Sequence, residues 1–400
     1  MILYNHECYM DAPTRALAGR AETEFRNRFE REPDVIARAP GRLEMLGGHT
    51  DYSEGFIMAL AIERATVVAA GERDDLHLRA WSDCDETEAS FELSRLDEGP
   101  WGRWWDYVAG VAQELAAEGC EVPGADLAIV SDVPVGGGVS SSAAIEVATA
   151  IALSTLAECS IDPETLALLC QRAENEFVGM RCGILDQFTS VFARTERVLW
   201  LDCRTLKRRL VKMGSDEARF VVCDTKKPRE LVGSAYNERR AQCEQASELL
   251  GVRTLRDVDE PTLDANADLL GGTLLRRARH VVTENQRVQQ GVKVLEAGDV
   301  EALGTLLNQS HLSLRDNYEV SCRELEAMRE AALEATGCFG ARLIGAGFGG
   351  CVLALVRAEA EDEFITTVAR RYETQTGLGP AIFGTDAADG AGLIPADGED

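Results

Sequence analysis

The sequence predicts an α+β protein of two domains. Its 400 residues are more than one hydrophobic core usually serves. Strand-like runs and helix clusters coexist without the regular alternation of a parallel α/β fold. A second series of elements begins near Arg219, so residues 1–215 and 216–400 read as separate units.

The elements follow in order. Residues 13–32 read as an amphipathic helix, and "DVIARAP" as a short strand that breaks at Pro40-Gly41. "FIMALAIERATVVAAGER" reads as two strands, from its β-branched and apolar content. "HLRAWSD" and "ASFELS" are shorter strands, and residues 104–118 carry a helical pattern. "GADLAIVSDVP" is a strand that ends at a glycine cluster. A long helix starts at the serines beyond, with Ile145, Ala148, Ile151 and Leu156 on one face. Two helical stretches flank "VGMRCGILDQF". In the second unit "RFVVCDT" is a strand, and residues 232–250, 273–296, 300–312 and 322–335 are helical. "ARLIGAG" and "GCVLALV" pair as strands, and the acidic tail "DGAGLIPADGED" reads as disordered.

Charge narrows the function classes. The formal net charge is -27, which argues against nucleic acid or an anionic membrane surface as partner. An anionic substrate would need local positive groups to overcome that field. The 12 cysteines form no CxxC pair and no zinc spacing. Residues 1–11 lack the features of a signal peptide, and no apolar run reaches membrane-spanning length. These features predict a cytoplasmic protein with reduced thiols.

The strongest motif is "SDVPVGGGVSSSAAIEVATAIAL", residues 131–153. Gly136, Gly137 and Gly138 let backbone N–H groups turn toward a ligand. The helix start at Ser140, Ser141 and Ser142 adds free donors and a partial positive charge, a combination suited to a polyphosphate. The hydroxyls can cap the helix or reach a metal ion; an ordinary serine-capped loop stays open. No lysine follows the glycines, so this is not a Walker loop. "GAGFGG", residues 345–350, has dinucleotide-fingerprint spacing, but a strand pattern follows it. It reads as a turn between strands that lets its backbone approach something closely, such as the phosphate loop. Asp186 lies in an apolar run and needs a partner if buried. Arg42, after the Pro40-Gly41 break, could supply the charge; a structural ion pair is the alternative.

With those residues in view, the chain resembles the galactokinases of the GHMP kinase superfamily. "GRLEMLGGHTDYSEG", "PVGGGVSSSAAIEVA" and "RLIGAGFGGCV" match the three signature motifs in order. "CGILDQF", "SAYNERRAQCE", "RRARHVV" and "SLRDNYEVSC" add to them, over residues 35–392. The resemblance implies an N-terminal domain like ribosomal protein S5 domain 2 and a ferredoxin-like C-terminal domain. It implies phosphoryl transfer from ATP, with Mg²⁺, to the anomeric hydroxyl of a sugar. Asp186 would be the catalytic base, with Arg42 beside it. Ser142 and Glu174 would hold Mg²⁺, and Gly136 to Ser142 would cradle the phosphates. His49, Asp51, Gly183 and Tyr236 would contact the sugar, and Trp104 and Tyr107 would line the adenine pocket. A neighbouring guanidinium weakens a carboxylate as a base, so general base and hydroxyl-orienting group both stay open as roles. A monomer is expected.

Three departures stand out. The family usually reads "GEHTDY", and its glutamate bonds the sugar 6-hydroxyl; here Gly48 replaces it and Glu44 stands where asparagine is usual, and the resemblance implies that Gly48 and Glu44 both contact the sugar. L-arabinokinases of the same family show a similar Gly-Gly pair. Galactose is the expected substrate, with L-arabinose and galacturonate as alternatives and a non-catalytic sugar sensor as another class. Gly48→Glu is expected to favour galactose over L-arabinose. Pro228, between Lys227 and Arg229, replaces a common basic residue and puts one phosphate contact in doubt.

Overall fold

The computed structural model describes residues 12–213, 215–227 and 232–395. Its first unit begins with α1 (Ala12–Phe29), then β1 (Val35–Leu46), β2 (Phe56–Arg73), β3 (His77–Ser82) and β4 (Thr87–Glu92). Next come α2 (Trp105–Ala117), β5 (Gly124–Ser131), α3 (Ser141–Leu156), α4 (Pro163–Arg172), α5 (Leu185–Phe192), β6 (Arg197–Asp202) and β7 (Arg208–Lys212). The second unit holds β8 (Ala218–Asp224), α6 (Val232–Leu250), α7 (Glu260–Ala265), α8 (Ala267–Ala297), α9 (Val300–Ser313) and α10 (Arg323–Leu333). It continues with β9 (Cys338–Leu343), β10 (Cys351–Arg357), α11 (Glu361–Thr376) and β11 (Ala381–Thr385), and β12 (Gly392–Leu393) ends the series.

The larger sheet runs β12-β1-β2-β5-β3-β4, with β6 on β2 and β7 on β6. Its pairs are antiparallel except β3 with β5. Both faces are covered, which is why β2 is almost continuously apolar. Val67 and Ala69 pack with Leu17, Ala21 and Phe25 of α1. Their neighbours Val68 and Ala70 pack with α2 to α5 on the other face. The four-stranded sheet runs β11-β8-β10-β9 and is antiparallel. One face meets α6, α8, α10 and α11 through Val221, Cys223, Val352 and Ala354. Phe220, Val222, Leu353 and Leu355 join Leu43, Met58 and Leu60 of the larger sheet in a shared core. That shared apolar seam holds the two units together.

Four local expectations are corrected. β2 is one strand of 18 residues rather than two. Its polar Glu63-Arg64 lies where β2 changes partner, between the β6 pairing at Phe56–Ala59 and the β5 pairing at Thr66–Arg73. β1 does not break at Pro40-Gly41; it shifts register between Pro40 and Arg42, a bulge that tolerates proline's missing donor. There the Arg42 amide leaves the ladder and donates to the Val139 carbonyl at 3.0 Å.

The tail read as disordered is ordered from 389 to 395. Gly392 and Leu393 pair with β1, and the Ile394 amide donates to Ile36 at 2.9 Å. Residues 396–400 of that tail, and the Pro228 and Arg229 positions, lie outside the described residues. The thiols are not all reduced: Cys120 and Cys159, beyond the ends of α2 and α3, form a disulfide across 39 residues of sequence. Adjacent helix ends bring them together, a proximity that spacing could not reveal. Among the described residues, no helix is long and apolar enough to cross a membrane, and no cluster of three metal-ligating side chains occurs.

Candidate active site

Between the two units lies a cavity of about 410 Å³. The Gly136–Ser142 turn forms one wall. Gly136 and Gly138 have φ of 69° and 81°, the left-handed region that glycine adopts without strain. Ser140 precedes α3 but makes no side-chain cap bond to it. Its hydroxyl instead donates to Asp186. The capping alternative therefore fails for Ser140, and its hydroxyl is committed to the carboxylate. Gly136, Gly138, Ser140, Ser141 and Ser142 line the cavity, whereas Gly137 does not. The second glycine turn closes on the first: a Cβ at Gly345 would lie 2.9 Å from the Gly138 Cα.

Asp186, in the first turn of α5, is gripped from β1. Arg42 Nε donates to Oδ1 at 2.7 Å and Nη2 to Oδ2 at 2.8 Å, a bidentate pair. The third arm of the guanidinium, Nη1, donates to the Gly138 carbonyl at 2.7 Å. One buried arginine thus ties the carboxylate to the glycine-serine turn. Glu174 sits on a single π-helical turn, Ala173–Val178, that follows α4. It is bonded by Ser142, by Cys182 Sγ at 3.3 Å and by Gln187 Nε2 at 2.8 Å. Burial, then the Asp186 charge, pushes the Glu174 carboxyl up.

Asp51 lies across from Asp186. Burial first, then Asp186 and Glu44, push its carboxyl up to about 6. The Tyr52 amide donates to Oδ1 at 2.9 Å. Gly183 must lack a side chain, since a Cβ there would fall 1.9 Å from Asp51 Oδ2. His49 bonds Tyr52 Oη through Nδ1 at 2.9 Å, and burial holds its pKa down to about 3. Tyr236 of α6 packs on that ring with centroids 5.3 Å apart. Trp104 and Tyr107 line the same cavity on the α2 side, and Trp104 Nε1 donates to Thr87 Oγ1 at 2.9 Å.

A galactokinase galactose-binding signature matches residues 23–72, a GHMP kinases N terminal domain matches 106–194, and a GHMP kinases C terminal domain matches 292–374. A galactokinase from a Roseiflexus species is 44% identical over 380 residues, covering 93% of this chain and 97% of that protein. The chain belongs to the galactokinase family of GHMP kinases. A second relative, the galactokinase of Chloroflexus aurantiacus, is 44% identical over 358 residues, with 88% and 92% covered. The crystal structure of Lactococcus lactis galactokinase complexed with galactose superposes with a TM-score of 0.89 at 33% identity, covering 93% and 98% of the two chains. A mevalonate kinase shares the fold alone, at 17% identity and a TM-score of 0.64 over 89% of this chain and 100% of that one. As a member of this family, the chain is a galactokinase-type phosphotransferase that acts on a small sugar with a nucleotide cofactor.

Within that family frame, the Gly47-Gly48 pair has two separate explanations. Gly47 has φ of 102°, a conformation strained for any other residue. Gly48 is constrained by space. A Cβ there would lie 2.7 Å from Arg342 Nη2 and 2.8 Å from Glu44 Oε1. Those two groups pair with each other at 2.7 Å, and Arg342 is fully buried. Arg342 Nη1 also donates to the Met45 carbonyl at 2.7 Å. Burial pushes the Glu44 carboxyl up, against the opposing pull of Arg342 and Arg42. Glu44 lines the cavity while Gly48 is set behind the wall, which corrects the reading of Gly48 as a direct contact. Gly48→Glu, expected to favour galactose over L-arabinose, would also bring its side chain against that pair.

Sequence reading missed the groups behind this wall. His280 Nε2 donates to the Gly48 carbonyl at 2.8 Å, and Glu284 accepts from the Gly47 amide at 3.0 Å. The available signal was a charged residue inside an apolar strand, Arg342 in "ARLIGAG", and a histidine and glutamate one turn apart in "RHVVTE".

Proposed function

We propose that this protein transfers the γ-phosphoryl group of ATP to the anomeric hydroxyl of D-galactose, giving galactose 1-phosphate and ADP. The observation that carries the reading is the Arg42 guanidinium, which joins Asp186 to the Gly138 carbonyl in one rigid bridge. A carboxylate so held is positioned against the hydroxyl of a sugar seated between Asp51, His49, Gly183 and Tyr236. Its neighbour, the phosphate turn, presents the backbone donors at the start of α3 to a triphosphate. Trp104 and Tyr107 offer aromatic faces to the base of the nucleotide.

The donor set suits Mg²⁺ that arrives with the nucleotide. Ser142 and Glu174 offer one hydroxyl and one carboxylate, and no third protein ligand clusters with them among the described residues. Mg²⁺ commonly takes one or two protein oxygens and completes its shell with phosphates and water. When bound, the ion would neutralise charge on the transferring phosphoryl group. Asp186 orients the attacking hydroxyl and receives its proton at a carboxylate oxygen as the new P–O bond forms. Arg42 keeps that carboxylate in place, so positioning supplies much of the rate.

The Glu44–Arg342 pair supports galactose over the two alternatives. Gly48 does not open a hole for a smaller sugar, because Glu44 and Arg342 take the volume a side chain would fill. The wall therefore still presents a carboxylate acceptor. A uronate would meet Glu44 and Asp51 together, whose mutual influence is already visible in the raised Asp51 carboxyl. The four-stranded antiparallel sheet with helices on one face likewise supports a ferredoxin-like reading of the second unit.

The test is a panel of free sugars with Mg-ATP and purified protein. Labelled phosphate is expected on carbon one of D-galactose, with L-arabinose slower and galacturonate inert. Absence of label on galactose would overturn the reading.

A further inference from the structure

A line of hydroxyls runs from the sugar side of the cavity into the second unit. His49 Nδ1 bonds Tyr52 Oη at 2.9 Å, Tyr52 Oη bonds Tyr318 Oη at 2.5 Å, and Tyr318 Oη bonds Cys243 Sγ at 3.1 Å. Tyr318 lies on a second single π-helical turn, Leu314–Tyr318, and Cys243 on α6. His49 lines the cavity, whereas Tyr52, Tyr318 and Cys243 do not. The other ring nitrogen, Nε2, is buried with no hydrogen-bond partner in the protein. Leaving such a group unpaired is costly; the nearby Ala346 backbone compensates it in part, and an oxygen of a ligand in the cavity would complete it.

The direction of the line follows from the chemistry of its members. Each phenol and the thiol has one proton to give, and burial keeps all three protonated. A neutral imidazole nitrogen is a strong acceptor, a phenol a good donor, and sulfur a weak partner in either sense. The favourable order runs from the Cys243 S–H to Tyr318, from the Tyr318 O–H to Tyr52, and from the Tyr52 O–H to His49 Nδ1. The reverse order would place a phenol proton on sulfur, which Ser53 also bonds, and spend the imidazole proton on a phenol oxygen. With Nδ1 accepting, the one ring proton resides on Nε2. The Ala346 backbone also raises the proton affinity of the ring, in keeping with a protonated nitrogen facing it.

We propose that Tyr318 and Cys243 are positioning residues which, through Tyr52, hold His49 as its Nε2–H tautomer, so that it meets the substrate as a hydrogen-bond donor. The acceptors Asp51 and Glu44 line the same cavity. A hydroxyl-bearing ring would then find both a donor and acceptors, the pattern a neutral sugar satisfies. This deepens the sugar-binding reading given above and rests on it for its function, but not for its geometry.

The test reads the tautomer directly, in the sugar-free protein. Long-range ¹H–¹⁵N spectra of histidine-labelled protein resolve the ring nitrogens of its five histidines. His49→Asn assigns the resonance. The expected wild-type pattern is a protonated Nε2 and an accepting Nδ1. Tyr52→Phe is expected to move both nitrogens toward the averaged values of mixed tautomers, and Tyr318→Phe to do so in part. The same variants should raise KM for the phosphorylated sugar about 5- to 10-fold, as loss of one hydrogen bond does, with KM for ATP unchanged. A wild-type Nδ1–H pattern would overturn the proposal. So would ring shifts that stay put in both phenylalanine variants. Because the spectra need no substrate, a failure of the galactose assignment leaves this outcome separately readable.

Discussion

Arg342, in the second unit, and Glu44, in the first, form an ion pair of 2.7 Å directly beneath Gly48. Breaking a buried pair costs up to about 3–5 kcal/mol, although Arg342 also has the Glu284 carboxylate at 3.6 Å. The pair therefore locks the sugar wall to the interface between the units. Gly48→Glu should push the pair apart and lower stability by up to about 3–5 kcal/mol. Adding Glu44→Asn should restore most of that loss by returning a single carboxylate to the wall. Urea unfolding of the two variants checks this; a single variant as stable as the parent would sink the packing account.

Asp186→Ala should lower kcat by about 10²–10⁴, the range of a positioned acid–base group. The fold should survive at lowered stability, because Asp186 lies outside the apolar core but its loss leaves the buried Arg42 without its carboxylate partner. Steady-state rates and a thermal melt on the same sample separate the two effects. A kcat within twofold of the parent would remove Asp186 from the reaction.

Gly183→Ala should damage sugar binding and spare the nucleotide. Its Cβ would collide with the Asp51 carboxylate at 1.9 Å, so that side chain must move. KM for the sugar is expected to rise about 10-fold or more, as loss of a charged hydrogen bond does, while KM for ATP stays level. Equal effects on both constants would show that the collision is relieved some other way.

His280 predicts a pH effect with a definite sign. Burial holds its folded pKa down to about 4, below the ordinary value of 6.5. The unfolded chain then binds the proton more tightly, so stability is complete above 6.5 and is lost as pH falls toward 4. Asp51 works in the opposite sense: its folded pKa is raised to about 6, so its proton stabilises the fold below that pH. His280→Gln keeps a donor for the Gly48 carbonyl but cannot titrate. Between pH 6 and 4.5 its stability should fall less steeply than the parent's, by about 1.4 kcal/mol per pH unit. Parallel slopes in denaturant titrations would count against the neutral buried histidine.

Much of the site was legible along the chain, because it is built from short segments whose residue types are chemically unusual. The triple glycine before three serines marked a turn that lines the cavity. Asp186 in an apolar run and Arg42 after a Pro-Gly step marked a buried pair, and the structure joins them. The turn at residues 345–350 was separated from a dinucleotide fingerprint by the strand that follows, and Gly345 does press on Gly138. Strand limits were less legible: the length of β2 depends on its neighbours β5 and β6, which periodicity cannot see.

Residue type and order settled which chemistry the chain can perform, since backbone donors, carboxylates and an arginine act through local covalent structure. Gly48 took its meaning from elsewhere. The wall behind it is made by Arg342, nearly three hundred residues away, and the Tyr52 hydroxyl that bonds His49 is itself bonded by Tyr318 of the second unit. Buried electrostatics depends on which charges meet when two units close on each other. That proximity belongs to packing, and no stretch of one-dimensional text records it.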